Sequence, residues 1–390
     1  MDFRERILTT FNHEEPDRVP VMSLLMEPSN VSNYTGEKQI NYFNYLKKPI
    51  LKSIIKILMN WDLMWNSNFL SVYSKIVDLN IELGFDACWM YYLVFKLKSD
   101  KTSNIGYTWY DLWGRKWEIT LDRFGNPEPQ YIGGYCSTEE DWEKWIANHE
   151  GMANKFIKSV EKFYKNVIQK YKNQIYIIGF AAPGVFENSW QPIGFVNFTK
   201  YMYSNPKFIK KVIEFQKELY LKQIEGICNA GNEIVLIGDD LGHKTGLLMS
   251  PKLIDKYFGD VYREIAEFIH NKNKKVLFHS CGKLYELLDR FIDWGFDGLL
   301  TLEPTAGMEL GAVRKKVGHK LVLVGNIDVS YLLVRGTKLE IEKAVKKAIE
   351  DAAKGGGFIL SPAHSHADVD INRLKWMIEA AHNYGNYPIT

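Results

Sequence analysis

The chain has 390 residues, of which 46% are hydrophobic and 25% are charged, a balance typical of a folded globular protein with a sizeable core. Its formal charge of +2 comes from interspersed Lys and Glu, without the basic block that would neutralise a nucleic-acid backbone. Sparse cysteines and the lack of an apolar run of about 18 residues argue against a disulfide scaffold and a membrane span. We therefore expect a cytoplasmic protein that binds neither nucleic acid nor membrane, and the sequence leaves a homo-oligomer open.

Short apolar runs alternate with longer amphipathic stretches along the chain, which is the pattern of a parallel sheet with helical crossovers. The predicted strands are 19–22, 87–91, 175–179, 234–237, 275–278, 298–300, 321–324 and 358–360. The predicted helices include 206–230, 251–271, 283–294 and 338–354. No GxGxxG motif follows the first strand, and chemically suggestive residues follow several strands, so a (β/α)8 TIM barrel is favoured over an open sheet.

The barrel is predicted to be a single domain over residues 1–390, with an N-terminal extension and one insertion. The stretch from Trp109 to Ile132 alternates and turns like a β-hairpin. We expect this hairpin, at residues 100–135, to form a lid or one edge of the cleft.

The segment His279-Ser280-Cys281-Gly282 directly follows a predicted buried strand. Strand side chains alternate between faces, so His279 and Cys281 are expected to point the same way. Imidazole nitrogen and thiolate sulfur are both ligands for Zn²⁺, and a catalytic zinc site leaves one position open for substrate. The alternative is structural, because a buried Cys often acts as a small apolar residue.

Other polar residues also fall at predicted strand ends, where barrels place their active sites. Asp240 is a candidate proton donor, and Glu303 is a candidate metal ligand or a carboxylate that orients a ligand. Asp239 and Asn326 are candidates for substrate binding. A helix-capping role remains open for both aspartates, and a turn role is favoured for Asn326 and Asp328.

Aromatic residues are concentrated near the predicted strand ends, and they suit an aromatic or methoxylated substrate. Trp89, Phe180 and Phe186 are the candidates for such a pocket. Core packing is the alternative for each of them.

These motifs, in their order, resemble the uroporphyrinogen decarboxylase superfamily over nearly the whole chain. The resemblance is carried by the opening segments 4–8 and 12–21, by Gly238-Asp239-Asp240-Leu241-Gly242 with Met249-Ser250-Pro251, by His279-Ser280-Cys281-Gly282, and by Leu302-Glu303-Pro304, Gly325-Asn326-Ile327-Asp328 and Gly355-Gly356-Gly357-Phe358. It implies a (β/α)8 barrel.

Two branches of this superfamily differ in their chemistry. The decarboxylases carry an Arg-rich segment near the N-terminus that holds substrate carboxylates, and residues 22–30 of this chain contain no arginine. The other branch contains zinc-dependent methyltransferases that work with a corrinoid carried by a partner protein, and it uses a His-x-Cys pair that His279 and Cys281 match. The resemblance therefore implies Zn²⁺ and a corrinoid protein.

The third ligand of that branch is commonly a cysteine, and no cysteine follows Gly282 here. His364 occupies the corresponding place after the last predicted strand, with His366 and Glu303 as alternatives. A neutral imidazole leaves the metal more positive than a thiolate does, which favours activation of oxygen over sulfur.

We therefore expect a methyltransferase that moves a methyl group from an oxygen-bound donor, a methyl ether or methoxylated aromatic, to the Co(I) corrinoid of a partner, as in O-demethylase systems. Three alternatives remain open. They are transfer from methyl-corrinoid to a thiol or tetrahydrofolate, a metal-free decarboxylase of the uroporphyrinogen type, and a non-catalytic protein that binds the corrinoid protein.

Overall fold

The computed structural model describes residues 1–24, 28–36, 70–92, 95–100, 108–111, 113–121, 127–147, 152–365 and 368–389. The strands within this part are β1 (Met22–Ser23), β2 (Ala87–Tyr91), β3 (Phe95–Asp100), β4 (Thr108–Asp111), β5 (Arg115–Leu121), β6 (Pro127–Gly134), β7 (Tyr176–Ala181), β8 (Ile234–Gly238), β9 (Gly242–His243), β10 (Gly246–Leu247), β11 (Lys275–His279), β12 (Gly298–Leu300), β13 (Val322–Ile327) and β14 (Phe358–Pro362).

The α-helices of the same part are α1 (Phe3–Phe11), α2 (Pro28–Thr35), α3 (Leu70–Leu83), α4 (Glu139–Ala147), α5 (Met152–Tyr171), α6 (Val185–Trp190), α7 (Phe195–Ser204), α8 (Pro206–Asn229), α9 (Pro251–Ile254), α10 (Asp260–His270), α11 (Leu288–Asp293), α12 (Leu310–Val317), α13 (Leu332–Arg335), α14 (Lys338–Ala352) and α15 (Ile371–Tyr384). Among the described residues, no helix is both long and apolar enough to cross a membrane.

One parallel sheet of eight strands forms the centre of the molecule, in the order β1-β2-β7-β8-β11-β12-β13-β14. Its two edges meet where Val21 pairs in parallel with Leu360, whose backbone N–H donates to the Pro20 carbonyl at 2.9 Å. The sheet therefore closes as a (β/α)8 TIM barrel, and the predicted fold class is confirmed.

The interior of the barrel is filled by alternate residues of the strands, as a small closed barrel requires. Leu236, Leu277 and Val324 belong to this interior cluster, while their neighbours along the strands pack outward against the helices. Helix α1 adds Ile7 and Phe11 to the same cluster. The N-terminal extension thus contributes to the barrel core.

Two of the predicted helices differ from the structure. The stretch 251–271 is not one helix, because a π-helical turn at Asp255–Gly259 separates α9 from α10. The stretch 283–294 becomes helical only at Tyr285, as a 3-10 turn that leads into α11.

The predicted inserted hairpin is part of a larger structure. Strands β5 and β6 form the hairpin, but β3 and β4 extend it to a four-stranded antiparallel sheet, in the order β3-β4-β5-β6. The sheet rests on the segment that follows α6, where the Tyr131 hydroxyl donates to the Gln191 carbonyl at 2.7 Å. The Cys136 N–H donates to the Pro192 carbonyl at 2.9 Å. The insertion is thereby fixed beside the loop that follows β7, at the carboxyl end of the barrel strands.

Candidate metal centre at the mouth of the barrel

The His279-Ser280-Cys281-Gly282 segment leaves β11 at the carboxyl end of the barrel. Leu277 lies inside the barrel, so the alternation along the strand also turns His279 inward. The Nε2 atom of His279 is 3.7 Å from the Sγ atom of Cys281. The two side chains therefore converge, as their spacing along the strand predicts.

Ser280 and Gly282 fix the loop that carries the pair. The Oγ of Ser280, fully buried, accepts a hydrogen bond from the Leu241 N–H at 3.0 Å. Gly282 has a φ of +90°, and a Cβ at this position would lie 2.4 Å from the backbone nitrogen of His243. Only glycine allows so close an approach, so the loop after β11 packs directly on the loop after β8.

Asp240 joins the pair from the loop after β8. Its Oδ1 atom accepts a hydrogen bond from the Cys281 N–H at 2.9 Å and lies 3.7 Å from Nε2 of His279. Ligand atoms of Asp240, His279 and Cys281 all lie within 4.8 Å of one another. Three donors from two adjacent strands thus surround one point.

Glu303 and His364, from the loops after β12 and β14, form a second group with Cys281, which the two groups share. Their ligand atoms and the Sγ of Cys281 also lie within 4.8 Å of one another. Leu302, with a left-handed φ of 59°, interrupts the strand alternation just before Glu303. Nδ1 of His364 lies 2.7 Å from the Ser365 carbonyl oxygen, which can only accept, so Nδ1 is the donor of this bond and Nε2 is the ring nitrogen left for a ligand role.

The donor set fits Zn²⁺. One sulfur, two imidazoles and two carboxylates are the ligand types that zinc takes, and ligands bound tetrahedrally at ordinary zinc distances stand about 3.3–3.8 Å apart. The observed 3.7 Å between the His279 nitrogen and the Cys281 sulfur falls in this range. His279 and His364 belong to different groups that share Cys281, so an ion bound by all three would need a shift of a side chain.

The electrostatics of the cluster also suit a cation. Burial raises the pKa of the Cys281 thiol, and the nearby Asp240 and Glu303 carboxylates raise that pKa further. Burial lowers the pKa of His279, which keeps the imidazole neutral and able to bind a metal. A divalent ion would offset the repulsion among the carboxylates and the thiolate, since a coordinating thiol loses its proton.

Aromatic side chains form the floor below the cluster. The rings of Trp89 and Phe180 pack edge to face with centroids 4.7 Å apart, and Phe180 lies 6.1 Å from the His279 ring. A Cβ on Gly238 would lie 2.5 Å from the Phe180 ring, so glycine makes room for that ring. Phe180 is thus placed beside the candidate metal centre, and Trp89 packs behind it.

Asp239 and Phe186 lie elsewhere, which corrects the prediction that they contact substrate. Asp239 points out of the barrel and is 1% exposed; it accepts hydrogen bonds from the backbone N–H groups of Phe186 and Glu187 and from the Tyr262 hydroxyl. It therefore caps the start of α6. Phe186 packs against Phe258 in the outer layer, with ring centroids 5.3 Å apart.

Three further residues were singled out from the sequence, namely Asn326, Asp328 and His366. Asn326 donates from Nδ2 to the Met308 carbonyl at 3.3 Å. Asp328 accepts from the backbone N–H groups of Ser330, Tyr331 and Leu332, so its predicted turn role is confirmed. His366 lies outside the described residues.

Glu187 is a residue that the sequence did not single out. Its Oε2 accepts from the Asp240 N–H at 3.4 Å, and burial together with Asp240 and Asp239 raises its pKa well above the ordinary range. Its position in the segment after β7 could have indicated it, because barrels place their active-site residues after the strands. The same rule identified Asp240.

The fold and this cluster define a (β/α)8-barrel protein with a candidate metal centre at the carboxyl ends of its strands. The family model described as uroporphyrinogen decarboxylase (URO-D) matches residues 124–384. The chain therefore belongs to the uroporphyrinogen decarboxylase family.

Relatives within this family have two kinds of name. The chain is 30% identical over 198 residues to uroporphyrinogen decarboxylase from Mannheimia succiniciproducens, covering 49% of this chain and 52% of that protein. It is 24% identical over 229 residues to methylcobamide:CoM methyltransferase MtaA from Methanosarcina barkeri, covering 58% of this chain and 64% of that protein. The matches thus span about half to two thirds of these curated relatives.

Among solved structures, the chain is similar to a methyltransferase from Methanosarcina mazei, with a TM-score of 0.69 and 18% identity. That match covers 98% of this chain and 99% of the other. At this identity the likeness establishes the shared fold, which here extends over almost the full length of both chains.

Proposed function

We propose that this protein is a zinc-dependent methyltransferase that moves a methyl group from an oxygen-bound donor to the Co(I) corrinoid of a partner protein. The observation that carries the proposal is the cluster of Asp240, His279, Cys281, Glu303 and His364 at the barrel mouth. The likeness to a relative named as a methyltransferase supports the reaction class.

His279, Cys281 and His364 would hold the metal, with Glu303 as a further ligand or as the carboxylate that orients one. When bound, Zn²⁺ supplies Lewis acidity that stabilises the negative charge developing on the leaving oxygen, an effect of several kcal/mol. Trp89 and Phe180 form an apolar floor that suits a methyl or methoxyaryl group. Asp240, whose side chain is 41% exposed, would deliver a proton to that oxygen.

In the proposed reaction the Co(I) electron pair forms a bond to the methyl carbon as the carbon–oxygen bond breaks. The bonding pair stays on the oxygen, which takes a proton and leaves as an alcohol or phenol. The methyl group ends on the partner's corrinoid as methyl-Co(III). The residues of this chain therefore hold the metal, position the donor and supply the proton.

A decarboxylase that acts on a polyanionic porphyrinogen is less well supported. Asp240 and Glu303 place negative charge at the mouth, where such a substrate needs cations. Residues 22–30 also lack the arginines that the decarboxylases use. Transfer from methyl-corrinoid to a thiol is the second candidate, because the relative from Methanosarcina barkeri is named methylcobamide:CoM methyltransferase.

The test is a spectroscopic assay of methyl transfer with the purified protein. Loss of Co(I) absorbance would be followed with cob(I)alamin and, in separate runs, methoxyarenes, methanol, methylamines and methyl thiols. The reverse arm would offer methylcobalamin to a thiol and to tetrahydrofolate. We expect transfer from an oxygen-bound donor, with loss of activity after zinc removal and recovery when zinc is returned.

Ligand variants with a matched control complete the design. We expect Cys281→Ser and His364→Ala to lower kcat/KM about a hundredfold or more, because the Lewis acid is weakened or lost. His319→Ala is the control, since His319 lies before β13, at the opposite end of the barrel, and should keep wild-type activity. Equal activity of the metal-free and zinc-loaded protein would refute the mechanism, and transfer only to a thiol would establish the second candidate.

A further inference from the structure

A chain of buried polar side chains connects the inserted sheet with the candidate metal centre. It begins at Asp111 in β4, which is 1% exposed and accepts hydrogen bonds from the side chains of Arg115 and Trp117 and from the backbone N–H groups of Trp113 and Arg115. These bonds fix the Arg115 guanidinium at the inner edge of the sheet.

The middle of the chain is Gln191, just after α6. Its Oε1 accepts from Nη1 of Arg115 at 3.2 Å, and its Nε2 donates to Oε1 of Glu187 at 3.0 Å. The amide thus accepts from a cation on one side and donates to a carboxyl on the other, which allows one orientation of the group. Gln191 is 8% exposed, so water competes little for either bond.

The chain ends at the metal centre. Oε2 of Glu187 accepts from the Asp240 N–H at 3.4 Å, and Oδ1 of Asp240 accepts from the Cys281 N–H at 2.9 Å. The same Oδ1 lies 3.7 Å from Nε2 of His279. Asp239 holds α6 from the other side by accepting from the Glu187 N–H at 2.8 Å. Glu187 is therefore held at both its backbone and its side chain.

We propose that Arg115, Gln191 and Glu187 are positioning residues that set the Asp240 carboxylate beside the metal ligands His279 and Cys281, and that the inserted sheet acts as their anchor. This inference rests on the metal site proposed above and adds to it the element that orients the carboxylate next to two of its ligands. Neighbours of a ligand that fix its geometry commonly change metal affinity by about 10–100-fold.

The test measures Co²⁺ affinity by visible absorption of the cobalt-substituted protein, with Gln191→Met as the main variant. Methionine is close in length to glutamine and removes both side-chain hydrogen bonds. Gln174→Met is the matched control, because Gln174 is exposed and precedes β7, at the opposite end of the barrel. Circular dichroism of the metal-free proteins establishes that each variant is folded at the assay temperature.

We expect Gln191→Met to weaken Co²⁺ binding about tenfold, and Gln174→Met to leave it unchanged. Glu187→Gln keeps an acceptor for the Asp240 N–H and should bind more tightly than Glu187→Leu. In the Asp240→Asn background Gln191→Met should have no further effect, because the chain acts through Asp240.

The outcomes separate the two proposals. An equal loss from Gln191→Met in both backgrounds, or no loss in either, would overturn the positioning role alone. Wild-type protein that takes up neither Co²⁺ nor Zn²⁺ would overturn the metal site and this inference with it.

Discussion

Gly282→Ala should damage both the fold and the candidate metal centre. The new Cβ would lie 2.4 Å from the His243 nitrogen and 2.5 Å from the Gly242 carbonyl carbon, and backbone atoms cannot move away cheaply. The left-handed φ of +90° costs a non-glycine residue about 1–2 kcal/mol. The overlap adds about 1–3 kcal/mol. We therefore expect the free energy of unfolding to fall by about 2–5 kcal/mol.

Urea denaturation of the metal-free protein measures this loss, and zinc affinity measures the displacement of Cys281. Gly246→Ala is the matched control in the neighbouring β10, because its Cβ would meet nothing within 4 Å and its φ is not in the left-handed region. The reasoning is refuted if Gly282→Ala and Gly246→Ala have the same unfolding free energy and the same zinc affinity.

Three further predictions concern stability, each measured by urea denaturation. Ser280→Ala removes the acceptor of the buried Leu241 N–H and should cost about 1–3 kcal/mol; an unchanged midpoint would contradict this. Asp86→Ala leaves the Arg6 and Arg18 guanidiniums without their shared partner and should cost about 3–5 kcal/mol, whereas the exposed Asp289→Ala should cost little. Burial lowers the pKa of His382 below its ordinary 6.5, so the folded state binds fewer protons than the unfolded state and stability falls as the pH falls through 6.5. His382→Gln should lose less stability than wild type between about pH 7.5 and about pH 5.5, and equal losses would refute this assignment.

The barrel strands could be predicted because each is buried on both faces and therefore reads as a short apolar run. The strand Phe95–Asp100 lies outside the predicted hairpin, which was expected to begin at about residue 100. Its sequence does alternate, because Phe95, Leu97 and Ser99 are separated by charged residues. The helix 251–271 was predicted as continuous because its buried apolar residues keep three- and four-residue spacing from Ile254 to Ile265, through the π-helical turn.

The candidate site was predicted best where strand geometry determines it. His279 is the last residue of β11 and Cys281 lies two residues beyond it, so the alternation of the strand carries over to the first loop residues and the two side chains converge. The same continuation beyond β8 separates the inward Asp240 from the outward Asp239. Glu303 and His364 reach the cluster through loops whose course depends on tertiary contacts, so no spacing rule determines their direction.

Phe186 and Glu187 show the limit of reasoning from proximity to a strand end. Both follow β7 on the short helix α6, yet one faces the outer packing layer and the other faces Asp240. The rotation of α6 is set by the Asp239 cap and by the inserted sheet, which no local pattern reveals.

X-ray absorption at the zinc edge of the purified protein tests the central claim most directly. We predict one stoichiometric zinc with a single sulfur neighbour at about 2.3 Å and nitrogen or oxygen neighbours at about 2.0–2.2 Å, because Cys281 is the one thiol that the described residues bring to this cluster. Cys281→Ser should remove the sulfur contribution, and Cys228→Ala should leave it intact. Protein without bound zinc, or zinc without a sulfur neighbour, would contradict the account.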